Sequence, residues 1–202
     1  MNQEVIKAAN GQGPKERLLE AAIALFAERG YSKTSVREIV AQAGVTKPVL
    51  YYYFENKEGI FLAIMALAAE MLQQIISEVL QTPGQCQERL IALYQRLSQA
   101  IAKHPDLVKL FFTMTFGMSQ GAPDCNLEEY PQRINETIKN IYLEGLAKGE
   151  VAEVNPEAVS LLFLSLFGLA AHTNGPYFTA LEPELVMQTI QLAFRSLERE
   201  QG

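Results

Sequence analysis

Apolar residues return every three or four positions along almost the whole 202-residue chain, and no segment alternates apolar and polar with period two between turn signals. That periodicity confines the chain to an all-α fold. Each helix carries an apolar stripe that another helix must cover. The punctuation then sets the elements. Pro14 suits a first helical turn, Leu19, Ala22, Ile23 and Phe26 form one stripe, and Gly30 ends the helix. Ser35-Val36-Arg37-Glu38 is a capping box whose short helix Gly44 stops. Thr46 can cap a third helix that tolerates Pro48 in its first turn and ends near Phe54. Asn56 caps a fourth, with Ile60, Phe61, Ile64, Leu67 and Met71 at helical spacing, running to about Leu80. Beyond the break at Thr82-Pro83-Gly84, five more helices are expected, roughly at 87–103, 105–118, 127–147, 156–172 and 183–200. The expectation is an all-α protein of about nine helices. A three-helix head spans 14–63 and a larger helical body spans 64–202.

Composition removes several function classes. Cys86 and Cys125 are the only cysteines, and His104 and His172 the only histidines, so Cys-rich or His-cluster metal sites are excluded and no cofactor is expected. Neither cysteine has a partner motif, which favours inert thiols over redox sensors. Hydrophobic residues make up 49% and charged residues 20%, which excludes wholesale disorder. The first thirteen residues, with Glu4, Lys7 and Asn10, do not read as a secretion signal. The mainly apolar run at 158–171 is shorter than the roughly 20 residues a bilayer span needs. A soluble, cytoplasmic protein with no membrane partner is expected. Net charge is −6, unevenly spread: residues 1–63 hold 8 Lys/Arg against 7 Asp/Glu, leaving 9 against 16 in the remainder. A near-neutral head on an acidic body suits a DNA-binding head, though many enzymes show the same asymmetry.

Two short helices joined by a Gly-containing turn, at 36–42 and 47–54, make a helix-turn-helix candidate. Ile39, Val45 and Leu50 would pack the pair, and Gly44 would supply the turn's positive φ. Thr46, Lys47, Pro48, Val49, Tyr51 and Tyr52 are then presented outward. A recognition helix reads base edges with its N-terminal residues: Lys suits guanine acceptors, Thr either base type, and Pro or Val a thymine methyl. Tyrosine hydroxyls and Lys57 suit phosphate oxygens. Tyr51, Tyr52, Tyr53 and Phe54 are consecutive and cannot all be buried on one face. Geometry alone leaves open that the pair is ordinary helical packing.

Residues 15–65 resemble the DNA-binding domain of the TetR family of transcriptional regulators. The matching pieces are Leu25-Phe26-Ala27-Glu28-Arg29-Gly30-Tyr31, Thr34-Ser35-Val36-Arg37-Glu38-Ile39, Ala43-Gly44-Val45-Thr46, Leu50-Tyr51-Tyr52-Tyr53-Phe54 and Asn56-Lys57-Glu58, in order and spacing. Val40 departs from a usual alanine, Pro48 from a small residue and Tyr53 from a frequent histidine. The last two bear on which operator is read. The resemblance implies that Ser35 and Arg37 approach the DNA backbone, that Thr46, Lys47, Pro48 and Val49 read bases, and that Tyr51, Tyr52 and Lys57 contact phosphates or the groove. It also implies a homodimer that binds a double-stranded DNA operator and releases it when a small molecule enters the body.

In the body, the helix at 158–169 is apolar nearly all round and needs cover on every side. A partner subunit over Ser160, Leu164, Phe167, Gly168 and Ala171, joined by Ile190 and Phe194 of the last helix, would give a four-helix dimer interface. Met65, Leu72, Phe111, Phe112, Met114, Phe116 and Met118 are the candidate lining of a mostly apolar effector pocket, with plain core as the competing reading. No Lys or Arg lies between Lys109 and Arg133, so a multiply charged anion would lack a counter-charge there. An all-α enzyme and a non-DNA interaction module are the alternatives. Against the enzyme stands the lack of any Ser/His/Asp or Cys/His constellation, phosphate loop or Glu-x-x-His pair.

Overall fold

The computed structural model describes residues 13–116, 121–125, 129–171, 183–195 and 197. Among them are nine helices and no strand: α1 (Pro14–Arg29), α2 (Val36–Ala43), α3 (Lys47–Phe54), α4 (Lys57–Gln81), α5 (Cys86–Lys103), α6 (Pro105–Phe116), α7 (Glu129–Ala147), α8 (Pro156–Ala171) and α9 (Pro183–Arg195). Met118, the side chains of Phe116, Phe167, Gly168 and Ala171, and residue 172 lie outside the described residues.

The helices sort into two compact units. The first comprises residues 1–69 and 105–127, the second 70–104 and 128–202. The expected head, 14–63, was contiguous; the first unit also takes in α6, which packs on α1. Leu107 and Leu110 supply the buried side of α6, so an apolar stripe assigned by sequence to the body closes the core of the first unit.

The stripe of α1 falls one residue away from the one expected. Leu18, Ala21, Ala22, Leu25 and Phe26 are buried, while Leu19 and Ile23 are only half-buried. Ile39, Leu50, Phe54, Ile60, Phe61 and Ile64 complete this core. An aromatic cluster joins the helices: the Phe26 and Phe61 rings lie 5.7 Å apart, and Tyr31 lies 5.5 Å from the first and 5.0 Å from the second. Such edge and tilted pairings add about 0.5–1.5 kcal/mol each beyond area burial.

The core of the second unit is built from Leu72 and Val79 of α4, Leu90, Leu93 and Leu97 of α5, Ile138, Ile141 and Tyr142 of α7, and Val159, Phe163, Ile190 and Phe194 of α8 and α9. Tyr142 is fully buried, and its hydroxyl accepts from Val154 N at 2.7 Å and lies 2.9 Å from the carbonyls of Ala152 and Val154. It thereby satisfies the backbone of the α7–α8 connection. Buried Arg89 pairs with Glu144. α4 has the length and apolarity of a membrane span. Its Ile60, Phe61, Ile64, Met65, Ala68, Leu72 and Val79 are nonetheless buried inside the two units.

Candidate nucleic-acid interface

The interface begins with how α2 starts. Ser35 is the N-cap, its Oγ accepts from Glu38 N at 3.3 Å, and Glu38 Oε2 accepts from Ser35 N at 2.9 Å and from its hydroxyl at 2.7 Å. These hydrogen bonds hold the Glu38 carboxyl below its ordinary range. Arg29 at the end of α1 pairs with the same carboxylate at 3.2 Å. α2 ends at Gly44, which sits at φ 63, ψ 38, a left-handed conformation that costs glycine little. Val45 N then donates to Val40 O at 3.0 Å, closing the turn.

α3 leaves that turn with Leu50 and Phe54 inward. Thr46, Lys47, Pro48, Tyr51, Tyr52 and Tyr53 are exposed, and Val49 is half-buried. Tyr52 is 81% exposed, Tyr51 47% and Tyr53 38%. Three adjacent exposed tyrosines are unusual, because rings of this size normally bury 150 Å² or more. Thr46 stands at the N-cap of α3, as expected, but its side chain makes no capping bond and keeps its hydroxyl for other partners. Ser35 and Arg37 are exposed at the start of α2.

Lys57 departs from expectation. It is half-buried, and its Nζ donates to the carbonyls of Tyr31 and Thr34, both at 3.0 Å, while lying 4.0 Å from the centre of the Tyr31 ring. Two of three ammonium donors and the cation–π face are committed to the α1–α2 loop. Buried Thr34 completes the lock, with Oγ1 donating to Gly30 O at 2.9 Å. Sequence spacing could not reveal this, since the partners lie 23 and 26 residues away.

The α3–α4 corner holds two features not read from the sequence. Glu55 has φ 62 and ψ −43, and Asn56 N reaches back to Phe54 O at 2.6 Å, a strained γ-turn. Gly59, in the first turn of α4, lies directly against the Phe54 carbonyl. Asn56 caps α4 as expected, its Oδ1 accepting from Gly59 N at 2.8 Å.

In the second unit, the α4–α7 face holds an open groove of about 420 Å³ lined by Gln73, Ile76, Glu129, Gln132, Arg133, Glu136, Thr137 and Asn140. Among the described residues, none of the expected effector lining borders this groove. Leu72 is buried in the second unit's core, Met65 is buried in the first unit, and Phe111, Phe112 and Met114 are half-buried on α6 there. Apart from Ile76 the lining residues are polar or charged, but the surface they turn to the groove is mostly that of their aliphatic stems.

Three of the residues expected at a dimer face lie inside the second unit. Ser160, Ile190 and Phe194 are buried within the second unit itself, with the Phe163 and Phe194 rings 5.0 Å apart, and Leu164 is half-buried. Among the described residues, the large apolar side chains that α8 and α9 leave outside are Leu161 at 64% exposure, Leu162 at 40% and Leu192 at 61%.

The family model described as bacterial regulatory proteins, tetR family, matches residues 18–64. The fatty acid metabolism regulator protein of Bacillus subtilis (strain 168) is 31% identical over 144 residues, covering 68% of this chain and 70% of that one. A probable acrEF/envCD operon repressor of Escherichia coli (strain K12) is 35% identical over 141 residues, covering 65% and 63%. Among solved structures, AibR in complex with isovaleryl coenzyme A and operator DNA superposes with a TM-score of 0.70 at 19% identity, over 90% of this chain and 98% of that one. The likeness to the first of these proteins extends beyond the α2–α3 motif into the helices that follow it. The locked turn, the outward tyrosines and this similarity converge, and the chain belongs to the TetR family of transcriptional regulators, which bind DNA and are not enzymes.

Proposed function

We propose that the protein is a homodimeric repressor that leaves a palindromic operator when a small molecule binds its second unit. The observation that carries this is the presentation of α3: its base-reading residues project outward from a turn held by the Ser35–Glu38 box, Gly44 and the Lys57 lock. In the motif, α3 enters the major groove while α2 crosses the backbone. Thr46, Lys47, Pro48 and Val49 meet base edges, Ser35, Arg37, Tyr51 and Tyr52 meet phosphates, and Lys57 holds the loop behind them.

Dimerisation is assigned to the outer faces of α8 and α9, through Leu161, Leu162 and Leu192. A second copy is the occupant because a two-fold pair of α3 helices is what a palindrome requires. The effector is an amphipathic molecule whose polar end engages the amides and Thr137 of the α4–α7 groove. The related fatty acid metabolism regulator and the coenzyme A complex of a structural neighbour support that class. Arg133 faces Glu129 at 3.7 Å, so a single anionic group has a cation there but a multiply charged one meets carboxylates. Release requires tighter effector binding to the DNA-incompetent state. A coupling of about 1–3 kcal/mol lowers operator affinity roughly 5–150-fold.

Light scattering tests the assembly: a dimer is expected, and Leu161→Glu with Leu192→Glu should give folded monomers that lose tight operator binding. A wild-type monomer overturns it. A panel of acyl chains, sugars and inorganic anions, scored by thermal shift and by release of a labelled duplex selected from a random pool, tests the effector. Release by inorganic anions alone contradicts the amphipathic assignment.

A further inference from the structure

We infer that Arg17 is a phosphate-contacting residue of the DNA-binding surface, contributed by α1 and outside the two helices of the motif. The inference rests on the DNA-binding reading of the first unit, and the experiment below separates the two. Arg17 is half-buried, and its Nε is fully buried with no hydrogen-bond partner. Its Nη1 lies 3.9 Å from where a Cβ on Gly44 would stand, so the guanidinium rests on the turn between α2 and α3.

The other arginines show what is unusual here. Arg29, Arg89, Arg96 and Arg133 each pair with a glutamate. Arg37 and Arg195 are exposed, where water solvates the charge. Arg17 alone among the described arginines is neither exposed nor paired with a carboxylate; the Nε of Arg89 is likewise shielded and unpartnered, but its Nη1 pairs with Glu144. The shielded Nε donor makes no hydrogen bond in the free protein, and an unmade buried hydrogen bond disfavours the folded state. The shielded Nε is out of a phosphate's reach, but the Nη donors are not, and a DNA phosphate gives them a partner of opposite charge. The guanidinium fork matches phosphate oxygens in geometry and charge.

The surroundings are open to such a partner. Gly44 is exposed and, lacking a side chain, leaves the guanidinium uncovered on that side. Two and three residues further on, Thr46 carries an uncommitted hydroxyl and Lys47 an exposed ammonium. Arg17 and the Thr46–Lys47 corner therefore present donors along the line where the sugar–phosphate backbone passes the mouth of the major groove.

The test is fluorescence anisotropy of the full-length protein on a 40-base-pair mixed-sequence duplex, titrated at several salt concentrations. Each phosphate neutralised contributes roughly 0.9 to the slope of log K against log salt. Arg17→Gln should flatten the slope by about that amount per protomer and weaken binding, with the melting temperature unchanged or raised. Arg17→Lys, which keeps the charge and removes the orphaned Nε, should restore most of the slope. An Arg17→Gln protein that keeps the wild-type slope, or that loses melting temperature while the Lys variant's slope equals the Gln variant's, makes Arg17 a structural bolt and overturns the inference. A wild type that shows no salt-dependent binding overturns the DNA-binding reading itself.

Discussion

Replacing Gly59 by alanine isolates the corner that aims the recognition helix. A Cβ built on Gly59 stands 1.9 Å from Phe54 O and 3.0 Å from Phe54 C, whereas real Cβ atoms essentially never approach within 3.0 Å of another heavy atom. The carbonyl must therefore retreat by about 1.1 Å. It belongs to backbone that the γ-turn at Glu55 already holds in a strained conformation, so no flexible side chain can absorb the shift. Two effects oppose each other. Alanine favours a helix over glycine by roughly 0.5–1 kcal/mol. Forced overpacking costs about 1–3 kcal/mol. The second exceeds the first, leaving a net destabilisation on the order of 1–2 kcal/mol and a melting point lowered by roughly 4–15 °C for a unit of this size. The larger effect is on DNA. A displacement near 1 Å at the end of α3 misplaces base contacts worth about 1–3 kcal/mol each, so affinity for a selected duplex should fall at least tenfold. Calorimetry and anisotropy measure the two. A Gly59→Ala protein that melts higher than wild type and binds DNA unchanged refutes the close-approach argument.

Lys57→Met keeps the aliphatic stem but leaves the Tyr31 and Thr34 carbonyls without their donor. It should lower unfolding free energy by about 1–3 kcal/mol in urea, with a smaller change in salt slope than Arg17→Gln produces. Ser35→Ala should cost about 0.5–2 kcal/mol by losing the N-cap. Because the folded-state Glu38 pKa is depressed, its contribution is complete above the unfolded carboxylate range, near pH 4.3, and is lost as pH falls through the folded value. The urea midpoint should thus drop toward pH 3, and drop less in Ser35→Ala. Cys86 is buried, with its thiol pushed up to about 11 chiefly by burial and then by Glu150. At pH 7.5 a thiol reagent should modify it only on unfolding, and rapid native-state labelling would contradict that burial.

Local chemistry was the most legible part of the fold. Pro14, Pro105, Pro156 and Pro183 each begin a helix, Gly44 takes the left-handed turn, and Ser35 with Glu38 forms the box, because each depends on neighbours within a few residues. The exposed tyrosines were legible for the same reason: consecutive residues on a helix cannot share one face. Two kinds of feature were hidden. One is phase, where a helix that is apolar over half its circumference does not announce which edge meets the core. Leu18 replaces Leu19 in α1, and Phe194 and Ile190 turn inward from the face assigned to a partner. The other is long-range pairing. Nothing near Lys57 in sequence points to Tyr31 and Thr34, and nothing in α6 declares that its leucines belong to the core of α1. The effector lining meets the same limit, since an apolar run reads alike whether it lines a cavity or fills a core.

The central claim is that α3 reads DNA as one of a symmetric pair. Its most direct test is selection of the full-length protein against a random-sequence duplex pool, followed by sequencing of the retained fraction. The account predicts enrichment of an inverted repeat whose half-site centres lie one helical turn, about 10–10.5 base pairs, or a multiple of it apart, with the enrichment lost in Lys47→Ala at particular base positions. Retention with no enriched sequence, or an enriched site without two-fold symmetry, would contradict it.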